Sequence, residues 1–125
     1  DRMKMPVGLL SGGQRQALTL LMATIVTPKL LLLDEHTAAL DPKTAEKVMK
    51  ITDKIVKENA LTTLMITHNI SNAIEYGNKT IVMSQGKLLL TIEGEQRANM
   101  TVEKLMKLYS DTAEDALSDK MILQE

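Results

Sequence analysis

The chain has 125 residues, 15 Lys and Arg against 16 Asp and Glu for a net charge of −1, 44% hydrophobic residues and no cysteine. This balance suits one globular domain and excludes a disulfide framework, a thiolate metal site and a basic grip on nucleic acid. With 2 Tyr, no Phe and no Trp but 9 Met, aromatic platforms for stacking bases or sugars are excluded as well.

No apolar run approaches the roughly 18 residues needed to cross a bilayer; Leu30 to Leu33 is the longest uninterrupted block. The first residue is Asp1 and no charged-then-apolar leader follows it, so no secretory signal is visible and the chain reads as cut from something longer.

In chain order, Ser11 caps a helix expected from near Gly13 or Gln14 to about Thr27, where Pro28 stops it. Its residues Ala17, Leu18, Leu20, Leu21, Met22, Ala23, Ile25 and Val26 leave little polar face, which predicts burial on most sides. Leu30 to Leu33 reads as a strand buried on both faces of a parallel sheet, with Asp34 and Glu35 at its carboxyl end. Asp41-Pro42 is an N-cap followed by proline at the first helical position. Ala45, Val48, Met49, Thr52, Ile55 and Val56 then recur at helical spacing, with Lys43, Glu46, Lys47, Lys50, Asp53, Lys54 and Lys57 as a solvated opposite face.

Leu61 to Thr67 reads as a second buried strand, followed by His68 and a short helix from about Ser71 to Tyr76 that Gly77 ends in the left-handed region. Strands at Lys79 to Met83 and Leu88 to Ile92 flank Ser84-Gln85-Gly86-Lys87, a hairpin signal. Two helical pieces close the chain, near Thr101 to Tyr109 and Asp111 to Leu123. The alternation of strand and helix predicts an α/β architecture, a mostly parallel sheet flanked by helices with a C-terminal hairpin and helices.

Three constellations carry chemistry. Ser11-Gly12-Gly13-Gln14 opens a helix, where glycines allow close backbone approach and free N–H groups favour an anion; a plain helix cap is the competing reading. Asp34-Glu35 at a strand end can hold Mg²⁺ and orient or deprotonate a water, or serve only as a turn. His68, after the next strand, can reach a phosphate oxygen or be structural.

Taken together, in this order and register, these features strongly resemble the second half of the nucleotide-binding domain of the ATP-binding-cassette (ABC) ATPases. Leu10 to Gln14 reads as the family signature LSGGQ, Leu30 to Glu35 as Walker B with the catalytic Glu, Ala38-Ala39-Leu40-Asp41 as the D-loop and His68 as the switch histidine. The resemblance implies a partial P-loop NTPase fold, with ATP and Mg²⁺ as its ligands. It implies Glu35 as general base, His68 at the γ-phosphate, Asp34 on Mg²⁺, and Asp41 in contacts across a dimer. Ser11, Gly12, Gly13 and Gln14 would cap the ATP of the opposite protomer. Its partners would be a second ATPase subunit, identical or not, and transmembrane permease subunits at the inner face of the cell membrane. The stretch Thr67 to Gly94, with Glu35-His36-Thr37, is similar to ATPases of bacterial importers that work with a substrate-binding lipoprotein.

Two positions depart from the family pattern: His36 stands where proline is common and Ala38 where a small serine is common. No G-x-x-x-x-G-K-[ST] phosphate loop occurs in the chain. The expectation is therefore a C-terminal fragment of an ABC ATPase domain, inactive in isolation. Residues 1–28 would carry the signature and its helix, 29–94 Walker B to the hairpin, and 95–125 the C-terminal helices. A soluble ABC ATPase of DNA repair or chromosome maintenance and a non-catalytic docking fragment are the alternatives.

Overall fold

The structure, a computed structural model, describes residues 4–123, which form two compact units divided between His68 and Asn69.

In the first unit a 3₁₀ turn at Val7–Leu9 leads into α1 (Gly12–Thr24), β1 (Leu31–Asp34), α2 (Pro42–Glu58) and β2 (Thr63–Ile66). The two strands pair in parallel, with Leu31, Leu32, Leu33 and Asp34 opposite Thr63, Leu64, Met65 and Ile66. Leu20, Leu31, Leu33 and Leu61 form the core, with Ile55, Val56 and Met65 packed against it; each buried leucine contributes about 1.5–3 kcal/mol. Helix α2 presents Val48, Met49 and Thr52 inward, as its periodicity predicts. Its outer face carries the i,i+4 ion pairs Glu46–Lys50, Asp53–Lys57 and Lys54–Glu58. Asp41 caps α2, its side chain accepting from the Thr44 amide with Pro42 at the first helical position. The helix ends where Ala60 turns left-handed (φ 48°) and the Leu61 amide reaches back to the Val56 carbonyl at 3.0 Å.

Two expectations of burial are corrected. Strand β1 is buried on one face only: Leu31 and Leu33 point inward while Leu32 is 64% exposed, and β2 alternates likewise with Leu64 and Ile66 exposed. A continuous apolar run encodes two faces that can be covered, and the described residues cover one. Helix α1 likewise buries Gly13 and Leu20, while Leu21, Met22 and Ile25 on its far side are exposed. The helix also stops at Thr24, short of Thr27.

The second unit contains α3 (Ile70–Glu75), β3 (Lys79–Ser84), β4 (Lys87–Glu93), α4 (Gly94–Ala98) and α5 (Val102–Leu123). Asn69 caps α3, accepting from the Asn72 amide, and Gly77 follows at φ +79°, the left-handed stop the sequence predicts. Strands β3 and β4 form an antiparallel hairpin, a two-stranded sheet of its own. Gln85 and Gly86, both at positive φ (51° and 76°), give the two-residue turn whose twist matches the strands. Ile92 is the most buried side chain, accompanied by Leu105 of α5.

The C-terminal expectation is corrected too. The two helical pieces are one helix, α5, capped by the Thr101 hydroxyl on the Lys104 amide, because Ser110-Asp111 contains neither the proline nor the glycine needed to interrupt it. The short α4 was not foreseen.

Candidate functional site

Parallel pairing is what assembles the acid pair and the histidine. The ladder continues one residue beyond β1, the Glu35 amide donating to the Ile66 carbonyl at 2.8 Å. The chain then turns sharply, with Glu35 at φ 49°, a left-handed conformation costing a non-glycine residue on the order of 1–3 kcal/mol. The register brings Asp34 opposite Ile66, so His68, two residues on, lies at the same carboxyl edge. Such an edge is where open α/β sheets bind ligands. His68 Nε2 meets Glu35 Oε1. The imidazole is 92% exposed and the carboxylate about one third exposed, so the pair faces solvent with Nε2 donating to the carboxylate oxygen.

The loop after Glu35 is folded by two tight turns, the Ala38 amide on the Glu35 carbonyl and the Leu40 amide on the Thr37 carbonyl, both at 3.1 Å. From it the His36 side chain reaches inward: Nε2 lies 3.0 Å from the Thr52 hydroxyl on α2. Thr52 is 4% exposed and its own proton goes to the Val48 carbonyl at 2.8 Å, so Nε2–H is the donor. Burial holds the His36 pKa below its ordinary value, which favours a neutral ring.

The signature residues form a closed local motif. The Gln14 amide donates to Ser11 Oγ at 3.2 Å and the Ser11 amide to Gln14 Oε1 at 2.9 Å, a reciprocal capping box. The Arg15 amide donates to the Ser11 carbonyl, and its guanidinium to the Gly8 carbonyl at 3.1 Å. Gly12 is exposed, at the positive end of the helix. Gly13 is buried against α2: a Cβ there would lie 2.2 Å from Thr44 Cγ2, and one on Gly12 3.1 Å from Leu40 Cδ2. The second glycine thus has a packing requirement that sequence reading missed. Its only sequence signal was a glycine inside a helix's first turn, where no backbone conformation calls for one.

The same contacts join the signature to the D-loop, since Leu40 and Thr44 flank Asp41. Asp41 Oδ2 accepts from the Thr44 amide at 3.1 Å, and hydrogen bonding from the Thr44 hydroxyl and then from that amide holds its carboxyl below the usual range. Asp34 is exposed at the end of β1, and among the described residues no group of three or more His, Asp or Glu forms a metal cage. One open carboxylate fits Mg²⁺ in a phosphate site, where the ion keeps waters and takes its remaining ligands from the phosphates.

A parallel strand pair with an acidic pair and a histidine at its carboxyl edge, beside a Ser-capped Gly-Gly helix start, defines part of an ABC ATPase domain of the P-loop NTPase fold. The ABC transporter family model matches residues 1–38. The tyrosine transport ATP-binding protein of Clostridioides difficile (strain R20291) is 50% identical over 103 residues, 82% of this chain and 41% of that protein. Among solved structures, cbiO1 from Clostridium perfringens, part of the ABC transporter complex cbiONQ, matches with a TM-score of 0.68 at 29% identity, over 82% of this chain and 40% of that one. The ATP-binding cassette MJ0796, in a dimeric post-hydrolysis state bound to ADP and Pi, matches with a TM-score of 0.58 at 34% identity, over 69% and 37%. The chain is thus similar to ABC transporter ATP-binding proteins and corresponds to less than half the length of these relatives. Among the described residues no helix is long and apolar enough to cross a membrane.

Proposed function

We propose that this chain is the signature-to-switch portion of an ATP-hydrolysing subunit that drives a bacterial ABC importer from the inner face of the membrane. The observation that carries the reading is the Glu35–His68 pair at the carboxyl edge of β1 and β2. Glu35 accepts a proton from a water as that water attacks the γ-phosphorus of ATP; the bond to the bridging oxygen breaks, releasing ADP and phosphate. His68, hydrogen-bonded to the same carboxylate, orients it and is exposed enough to contact the γ-phosphate. Asp34 holds Mg²⁺, which when bound offsets the charge of the phosphates.

Ser11, Gly12, Gly13 and Gln14 act on a second subunit's ATP, with the exposed Gly12 amide facing the phosphate and the buried Gly13 setting the angle at which α1 is presented. Asp41 carries the contacts between subunits. The phosphate-cradling loop, missing from these 125 residues, belongs to the rest of the full-length subunit. Permease subunits choose the solute, with a substrate-binding lipoprotein delivering it.

The test is Glu35→Gln in the full-length subunit with phosphate release as readout. Turnover is expected to fall by about 10² or more, the usual contribution of a positioned base, with ATP binding retained. Turnover near the unmodified rate would overturn the assignment.

A further inference from the structure

We propose that His36 is a positioning residue for hydrolysis: by donating a hydrogen bond to Thr52, its imidazole pins the turn that carries Glu35 and so holds that carboxylate against His68. This rests on the reading of Glu35 as the base.

Glu35 sits in a left-handed conformation (φ 49°) that a glutamate does not adopt without support. On one side the support is the sheet, through the Glu35 amide on the Ile66 carbonyl. On the other side the backbone enters a run of short turns whose hydrogen bonds stay within residues 35–40. Those turns fix the loop's shape, and its far end is tied down where Asp41 caps α2. Next to Glu35 itself, His36 supplies the tie. Its Nε2 reaches Thr52 across 16 residues of sequence, and Thr52 is immobilised, being buried in the middle of α2 with its hydroxyl already donating to the Val48 carbonyl.

The hydroxyl has one proton, committed to Val48, so it can take the imidazole N–H without any rearrangement. Residue 36 is joined directly to residue 35, so a displaced imidazole rotates the peptide that sets the direction of the Glu35 side chain. The carboxylate needs that direction, because its partner His68 is carried by the other strand and cannot follow it.

The experiment is a double-mutant cycle in the full-length subunit, with kcat and KM for ATP measured separately and thermal unfolding recorded in parallel. His36→Ala and Thr52→Val are each expected to lower kcat by about 10- to 100-fold, the size of effect an ångström of misplacement produces, with KM for ATP little changed. The double variant is expected to be no slower than the worse single variant, because both remove the same bond. His36→Gln, which keeps an N–H at similar reach, and Thr52→Ser, which keeps the hydroxyl, are expected to restore most of kcat. If His36→Ala does not fold, the Thr52→Val and Thr52→Ser pair makes the same comparison. Unchanged kcat in Thr52→Val, multiplying losses in the double variant, or a rise in KM alone would each overturn the proposal. Glu35→Gln in the same assay separates the two readings. Loss with Glu35→Gln but not with Thr52→Val removes the positioning role alone, whereas full turnover with Glu35→Gln removes the base.

Discussion

Each compact unit buries one threonine beneath a side chain that reaches it from far along the sequence, and the two pairs are built differently. In the first unit Thr52 donates to the Val48 carbonyl and accepts from His36. In the second, Thr80 donates to the Ala73 carbonyl and accepts from Arg97 Nε at 3.0 Å. His36 has that single bond, whereas the Arg97 fork also reaches the carbonyls of Tyr76 at 2.5 Å, Gly77 at 2.9 Å and Ala73 at 3.4 Å. Those carbonyls lie at the C-terminal end of α3, where a helix leaves its acceptors unpaired and favours a cation. The arginine is a redundant clamp that closes a helix end. The histidine is a single bond under the loop that follows the acid pair.

The largest effect that would break this contrast is at Arg97. Arg97→Ala is expected to destabilise the second unit by about 2–3 kcal/mol, since it removes a charged donor shared by several partly buried acceptors. Amide hydrogen exchange across α3 and β3 checks this. Thr80→Val leaves the fork its three carbonyls and should cost about 1 kcal/mol in the same measurement; an equal loss in both variants would show that the clamp is not redundant.

At the signature, Gly13→Ala is expected to cost about 1–3 kcal/mol, because its methyl would overlap Thr44 Cγ2. Adding Thr44→Ser, which deletes that methyl, should recover most of the loss in thermal unfolding; no recovery would mean that the overlap is not the cause.

The smallest effect concerns Asp41. Its carboxyl titrates below the ordinary 3.8 because the Thr44 hydroxyl, and then the Thr44 amide, hold the charged form. The stabilisation is therefore complete above that value and is lost as pH falls through the lowered one. Asp41→Asn caps a helix without a charge, so its helix content in an acid titration should be flatter than that of the unmodified chain.

What could be read without the structure was local. Ser11 before Gly12, Asp41 before Pro42, Gly77 after α3 and Gln85-Gly86 between strands each announce a cap, a stop or a turn within a few residues, and the acid pair and His68 stand at strand ends as the pattern implies. What could not be read depends on residues distant in sequence. A run of leucines states that its two faces are apolar, not which is covered, so β1 and α1 were expected to be more buried than they are. The contact of Gly13 with Thr44 and the bond of His36 to Thr52 span 31 and 16 residues, and no periodicity carries such a pairing. Ser110-Asp111 favours caps and turns and so suggests two pieces, but these exposed residues continue the helix α5, with neither proline nor glycine there to interrupt it.

The pairing of β1 with β2 also acts as a ruler. Side chains alternate along a strand, so one residue gained or lost inside Leu31–Asp34 would turn Leu33 outward and carry the two carboxylates to the wrong side of the ladder. One residue gained at the exposed Asn59-Ala60 turn would leave the acid pair and His68 where they are. Length variation among relatives should therefore collect at that turn and be missing from the four residues of β1.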